Sequence, residues 1–400
     1  MSTDFLHGVE FVEIDEGGRP VKVVRSSVIG IVGTAPDADE TAFPLDTPVL
    51  IYGSPRKAAL LDTKGNAVGT LPNAMDAIFD QHHGLVVVVR VAEGDNEAAT
   101  MTNVVGGTSN DGLKGVHALL GAKSKCAVKP KILIAPGFTH QRVEDPDNSG
   151  QFLKNAVAAE LETIAEKLNA IAIKDGCNTN SEAAMQDAKL FGSARTYIVD
   201  PFVTVFRKGA YVDEPASARV AGVIARTDAE KGFWWSPSNK QILGISGVAR
   251  PIPFEMGDTA SEANVLNENK IATIICEDGY RLWGNRTTSG DARWAFLVVR
   301  RIADMINESI QQAHLWAVDR PVGRIYFEAV QESVNQFLRT LEQKGAILGG
   351  KCWVDEEINS SSEIEQGHTY FDFDFTPAYT AERVTFRSRM TNGYVQEVFK

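Results

Sequence analysis

Cysteine is scarce in this 400-residue chain, and the four present (Cys126, Cys177, Cys276 and Cys352) stand alone with no CxxC spacing. That argues against a zinc site or a disulfide framework and suits the reduced, buried thiols of a cytosolic protein. Histidine is equally unhelpful to a metal: His82 and His83 are adjacent, but no HxxxH or HExxH spacing occurs. No metal and no cofactor is therefore expected. Long apolar runs are missing too. GLVVVV (84–89) is strand-sized, far short of a bilayer span, so no membrane insertion is expected. The start, MSTDFLHGVEF, lacks the basic residues and apolar core of an export signal. Positive charge is in deficit, with a net charge of −12, which argues against nucleic acid as a direct partner.

What remains is ordinary folded composition, 44% apolar and 23% charged, with length for two or three domains. GVEFVEID (8–15) and RPVKVVRSSVIGIVG (19–33) are strand-rich around a DEGG turn. Apolar runs then recur at 48–52, 85–91, 131–135, 170–173 and 196–205. Helical periodicity separates them, around 73–82, 110–121, 150–168, 181–190 and 215–228. Strands apolar on both faces, alternating with helices, imply a mainly parallel sheet covered by helices.

After residue 250 the pattern changes. A connector rich in Pro, Gly and Asn leads to helices expected over 291–316 and 322–344. Their stripes are Leu297, Ile302, Ile306 and Ile310, then Ile325, Val330, Val334, Phe337 and Leu341, with Gly345 as the stop. Strands follow at 346–357, 369–375 and 382–390, with a last one after Asn392-Gly393. The fold class is thus an α/β domain with a mainly parallel sheet, plus a C-terminal α+β domain of two long helices and a small sheet. Extended arms flank both. The expected segments are 1–27, 28–255, 256–390 and 391–400.

Catalytic motifs fail on geometry. GAILGGKC (345–352) fits GxxxxGK, but it follows a helix and precedes a strand, the reverse of a phosphate-binding loop, and Cys352 replaces the hydroxyl residue. Ser246 lies in GISG, which breaks the spacing of a nucleophile elbow. Asp372 and Asp374 share one face of a strand whose other face carries Phe371, Phe373 and Phe375, which reads as a solvated face rather than an acid–base pair. Three Asn-x-Ser/Thr sequons carry no weight without a secretory signal. Trp234 and Trp235 in GFWWSP read as a core plug or interface anchor in preference to a ligand platform. No catalytic residue is expected.

Two distributional features stand out. Strand-like segments at both ends either pair within their own domain or await a partner from another subunit. Residues 281–351 carry ten Lys and Arg against seven acids. This basic island is either a solvated helix surface or a steering surface for an acidic protein.

The order and spacing of HGVEFVEIDEGGRPVKVVRSSVIGIVGTA, GFWWSPSN, LNENKIATII, DGYRLWGNRT, AHLWAVDRP, CWVDEE and YFDFDFTP resemble contractile bacteriophage tail sheath proteins. The small sheaths of temperate coliphage tails and of R-type pyocins are the nearest kind. The resemblance implies a structural subunit and not an enzyme. Six-subunit rings would stack helically around an inner tail tube, metastable when extended, and contract to drive the tube through the target envelope for genome ejection. Implied partners are further copies of the chain, the inner tube protein, and baseplate and tail terminator proteins. Implied localisation is the virion tail, assembled in the bacterial host cytoplasm.

Under that resemblance Val9, Phe11, Val12, Ile14, Tyr394, Val395 and Val398 would form the exchanged arm strands. Arg286, Arg293, Arg300, Arg301, Arg339 and Lys344 would face the tube. Trp283 and Trp294 would pack the turn against the following helix, while Asn285 and Asp291 bond loop and helix-start amides. The alternatives are an α/β hydrolase-like enzyme or a soluble ligand-binding module.

Overall fold

The structure, a computed structural model, describes residues 21–110, 112–392 and 394. Val9, Phe11, Val12, Ile14, Val395 and Val398 lie outside the described residues. A nine-stranded sheet forms the centre. In chain order its strands are β1 (Ile29–Thr34), β2 (Pro48–Tyr52), β3 (Leu85–Val91), β4 (Ile132–Ile134) and β5 (Ile171–Asp175). They continue with β6 (Thr196–Val199), β7 (Lys240–Gln241), β8 (Ile271–Cys276) and β9 (Tyr280–Trp283). The spatial order is β7-β9-β8-β6-β5-β4-β1-β3-β2. The six strands from β8 to β3 run parallel, and β2, β9 and β7 are antiparallel additions at the two edges.

The both-faces reading holds residue by residue. Ile29, Ile31, Val86 and Val88 pack under helices α1 (Leu71–Phe79) and α3 (Ser217–Glu230). Val32, Val87 and Val89 pack on the other face, under α2 (Ala156–Leu168). Each fully buried side chain of this kind contributes about 1.5–3 kcal/mol relative to exposure, so this sheet dominates the apolar stabilisation. α2 starts where Asn155 accepts the Ala158 N–H at 2.9 Å and ends at Asn169 with φ 47°, a side-chain cap and a left-handed stop.

Four expectations change. The helix expected over 110–121 is a 3-10 turn at Gly115–Gly121 behind a small hairpin. The run 196–205 splits at Pro201, so Val203–Arg207 joins a separate three-stranded sheet with Ala210–Glu214 and Gly247–Val248. The boundary at 255/256 does not divide the sheet: β8 returns to lie parallel to β6, and β9 folds back on it. The segment 382–390 pairs with no strand among the described residues; residues 382–392 are irregular and exposed.

The C-terminal layer contains α4 (Leu297–Ala313), α5 (Arg324–Gln343) and an antiparallel hairpin of β10 (Ile347–Trp353) and β11 (Asp372–Pro377). Ile302 and Ile306 meet Val334, Phe337 and Leu341 in one core, with Phe371, Phe373 and Phe375 packed on it. Leu297 joins the large-sheet core instead, and Ile325 is exposed. Gly345, at φ 76°, lets the Ala346 N–H close on the Leu341 carbonyl at 2.9 Å. The GxxxxGK match is therefore a helix cap running into a strand.

Candidate functional site

The stretch 280–296 carries the chain from the large sheet to α4. Gly284, at φ 135°, exposes its carbonyl to the buried Tyr197 hydroxyl at 2.6 Å. A Cβ there would lie 2.7 Å from Ala272 Cα, so the close approach requires glycine. Thr287 Oγ1 donates to the Trp294 carbonyl at 3.0 Å, and Thr288 Oγ1 to that of Ser193 at 2.9 Å. Asp291 accepts the Arg293 N–H at 2.9 Å, as expected of a turn cap. Its carboxyl is held below the usual range by the Arg293 guanidinium.

Asn285 acts differently from expectation. Its backbone carbonyl accepts the Leu297 N–H at 2.9 Å, while its buried side-chain oxygen has no hydrogen-bond partner. The tryptophans divide as well. Trp294 lies under the Arg300 guanidinium, 4.2 Å away, and so braces α4. Trp283 packs edge-on against Phe254 at 5.1 Å, on the sheet side.

The joint between the large sheet and α4 is ionic. Arg301, Asp304 and Glu308, at steps of three and four along one helix face, are each less than 5% exposed. Arg301 reaches Asp228 of α3 at 2.9 Å. Asp304 binds Arg195 at 2.6 and 3.0 Å, and Arg300 at 2.8 Å. Glu308 meets Lys131 and lies 3.5 Å from Lys129. Burial pulls the Lys131 amine down to about 8, outweighing the attraction of Glu308. The incoming N-terminal segment follows the same helix, with the Val24 N–H on Ser309 Oγ at 3.1 Å. Arg300 and Arg301 are thus engaged within the chain, which corrects their expected availability at the surface. Sequence reasoning missed Asp228, Arg195, Lys131, Asp304 and Glu308 as a set. The available signal was three charges at helical spacing beside the Ile302–Ile306 stripe.

The other candidates separate. Arg286 grips Glu382, with its Nε 2.7 Å from the carboxylate, and so anchors the root of the exposed C-terminal segment. The side chain of Arg293 is 82% exposed. Arg339, paired with Glu332, and Lys344 are exposed on and just beyond α5. Phe233 is buried in the C-terminal core with Trp234 edge-on at 5.2 Å, while Trp235 is exposed between Lys231 and Lys240. Tyr394 is exposed. The structure does not gather these residues into one reaction centre. A wholly buried serine–carboxylate contact, Ser217 to Asp175 at 2.7 Å, is sealed from solvent. Among the described residues no group of three or more His, Cys, Asp or Glu could hold a metal, and no helix is long and apolar enough to cross a membrane.

What the layer offers is backbone. β10 and β11 pair only with each other among the described residues, and the β10 edge is capped at Cys352, whose N–H and carbonyl are both bonded by the Asn335 side chain at 2.8 and 3.1 Å. Beyond them, Val384, Phe386 and Met390 are 68%, 93% and 100% exposed.

Comparison with known proteins agrees in kind. Residues 111–288 match the phage tail sheath protein central domain, and 289–391 the phage tail sheath C-terminal domain. The chain is 40% identical over 398 residues to a Pseudomonas aeruginosa (strain UCBPP-PA14) prophage protein described as its major tail sheath, covering 98% of each. It is 33% identical to the tail sheath protein of Escherichia phage P2, covering 98% of this chain and 97% of that one. In fold it resembles the contracted helical sheath of the anti-feeding prophage, with TM-score 0.69 at 21% identity over 96% of this chain and all of that one. With matches over more than half its length and this identity to full-length relatives, the chain belongs to the phage tail sheath family, as a structural subunit of a contractile tail and not an enzyme.

Proposed function

We propose that this chain builds a helical sheath of stacked six-subunit rings around an inner tail tube, held extended in a metastable state until a baseplate signal. Contraction then drives the tube through the target envelope. The observation that carries this reading is the pairing of an open two-stranded sheet with an exposed, strand-patterned C-terminal segment. Segments 1–27 and 391–400, the latter lengthened to include the largely exposed stretch from 379, act as arms that add strands to the C-terminal layers of neighbouring copies. Such a contact joins different surfaces of successive copies, so it propagates as a filament unless the ring closes. Energy is stored in the extended lattice and released by a two-state rearrangement, so no nucleotide is consumed.

The C-terminal layer faces the tube, and a terminator and baseplate cap the ends of the virion tail, which assembles in the host cytoplasm. Tube contact falls to the exposed cations Arg293, Arg339 and Lys344. Exposed ion pairs contribute less than about 1 kcal/mol each, weak enough singly to break on contraction and sufficient when summed around a ring. Electron microscopy of the purified chain tests the assembly: hollow striated tubes are expected, and dispersed particles after deletion of residues 1–18. Dispersed particles from the intact chain would overturn it.

A further inference from the structure

β11 turns Phe373 and Phe375 toward the helices, so alternation puts Asp372 and Asp374 on the opposite, outer face. Asp374 is exposed and accepts the Lys351 N–H at 3.0 Å, and neither carboxylate forms an ion pair among the described residues. On the other strand the facing positions are Trp353 and Lys351. The two edges of this hairpin therefore differ: the β11 edge presents two carboxylates, while the β10 edge presents an ammonium and has its Cys352 N–H and carbonyl already bonded by Asn335.

The segment Arg383–Met390 has a matching asymmetry. Val384, Phe386 and Met390 fall on one side of an extended strand, and Arg383, Arg387 and Arg389 on the other. All six are exposed, and the three arginines make no ion pair or hydrogen bond among the described residues. Laid beside β11 with its apolar side on the helices, such a strand continues the phenylalanine face inward. Its arginines then share the outer face with the aspartates. Arg387 and Arg389 have the same two-residue step as Asp372 and Asp374, so both pairs face each other in either strand direction.

We propose that residues 383–390 of a second copy of this chain add to the free edge of β11, with Arg387 and Arg389 against Asp372 and Asp374. This charge pairing selects the β11 edge over the β10 edge. The inference rests on the strand-exchange reading above. Along the outer face the row Lys351, Asp374 and the incoming arginine then alternates in sign, whereas addition at β10 would set arginine beside Lys351. Opposite charges placed directly across neighbouring strands stabilise a sheet, and like charges destabilise it.

The test uses the full-length chain and reads the concentration at which tubes sediment, with imaging to confirm tubes. R387E/R389E alters only exposed, unpaired side chains and is expected to raise that concentration roughly tenfold. D372K/D374K should do the same. An equimolar mixture of the two variants should assemble near the wild-type concentration, because each arm then meets a complementary edge. Circular dichroism checks the fold of the aspartate variant. If it fails to fold, D372N/D374N replaces it, with a rise of about threefold expected. A 379–400 deletion separates the two levels of argument. If the deletion abolishes tubes while R387E/R389E assembles like wild type, or if the mixture of folded variants is not rescued, the charge pairing is overturned and strand exchange survives. If the deletion itself assembles like wild type, strand exchange through this segment is wrong.

Discussion

The nine-stranded sheet and the C-terminal hairpin treat their edges in opposite ways. On the sheet, β7 is only two residues long. The other edge strand, β2, begins with proline and has carbonyls taken by side chains, Lys57 Nζ on Leu50 at 2.8 Å and the Cys126 thiol on Pro48 at 3.4 Å. Shortness, proline and side-chain bonds are ways of blunting an edge against further pairing. The hairpin is blunted at only one place on each strand, by Asn335 on the Cys352 N–H and carbonyl of β10 and by Pro377 at the end of β11. β10 and β11 span seven and six residues, and Leu348 is 66% exposed on β10. The large body builds a nine-stranded sheet from its own chain, whereas the small layer's sheet has two strands among the described residues.

The joint between these regions is the sharpest place to break the comparison. Asp228→Ala would leave Arg301 charged, buried and unpaired, and is expected to cost about 3–5 kcal/mol in urea unfolding of the unassembled chain. A change under about 1 kcal/mol would show that the two regions do not depend on that contact. Next in size, Leu341→Ala opens the core of the C-terminal layer and should cost about 2–5 kcal/mol. Leu348→Ala, on the open strand, should change the same unfolding curve by no more than about 0.5 kcal/mol. Equal effects of the two leucines would mean that the hairpin is not an exposed edge in solution.

A further effect depends on pH. Burial holds the Lys131 amine at about 8 in the fold against an ordinary 10.5. Between those values the unfolded chain binds more protons than the folded one, so stability from this group rises with pH. Wild type should therefore gain stability from about pH 8 to 10.5 relative to Lys131→Met, measured by parallel denaturant melts. A flat difference would place Lys131 in a more solvated joint.

Much of this was legible locally. β2 and β3 fall where their apolar runs lie, because a strand covered on both faces needs an unbroken apolar run. Gly345 ends α5 because the turn demands a positive φ. The ionic joint was not legible: Arg300, Arg301, Asp304 and Glu308 have the spacing of a solvated helix face, and their partners lie 73 to 177 residues away or on α4 itself. Nor was the role of Arg286, whose partner Glu382 is 96 residues downstream.

The sequence by itself determined the alternating strands and helices, the two long C-terminal helices, the family resemblance and the amphipathic pattern of 383–390. These follow from periodicity and local backbone preference, which neighbouring residues impose on one another. Only the tertiary structure decided that β8 and β9 belong to the large sheet, that α4 is held to it by charges, and that 383–390 finds no partner strand among the described residues. Those outcomes depend on which distant surfaces meet, and no local pattern records that.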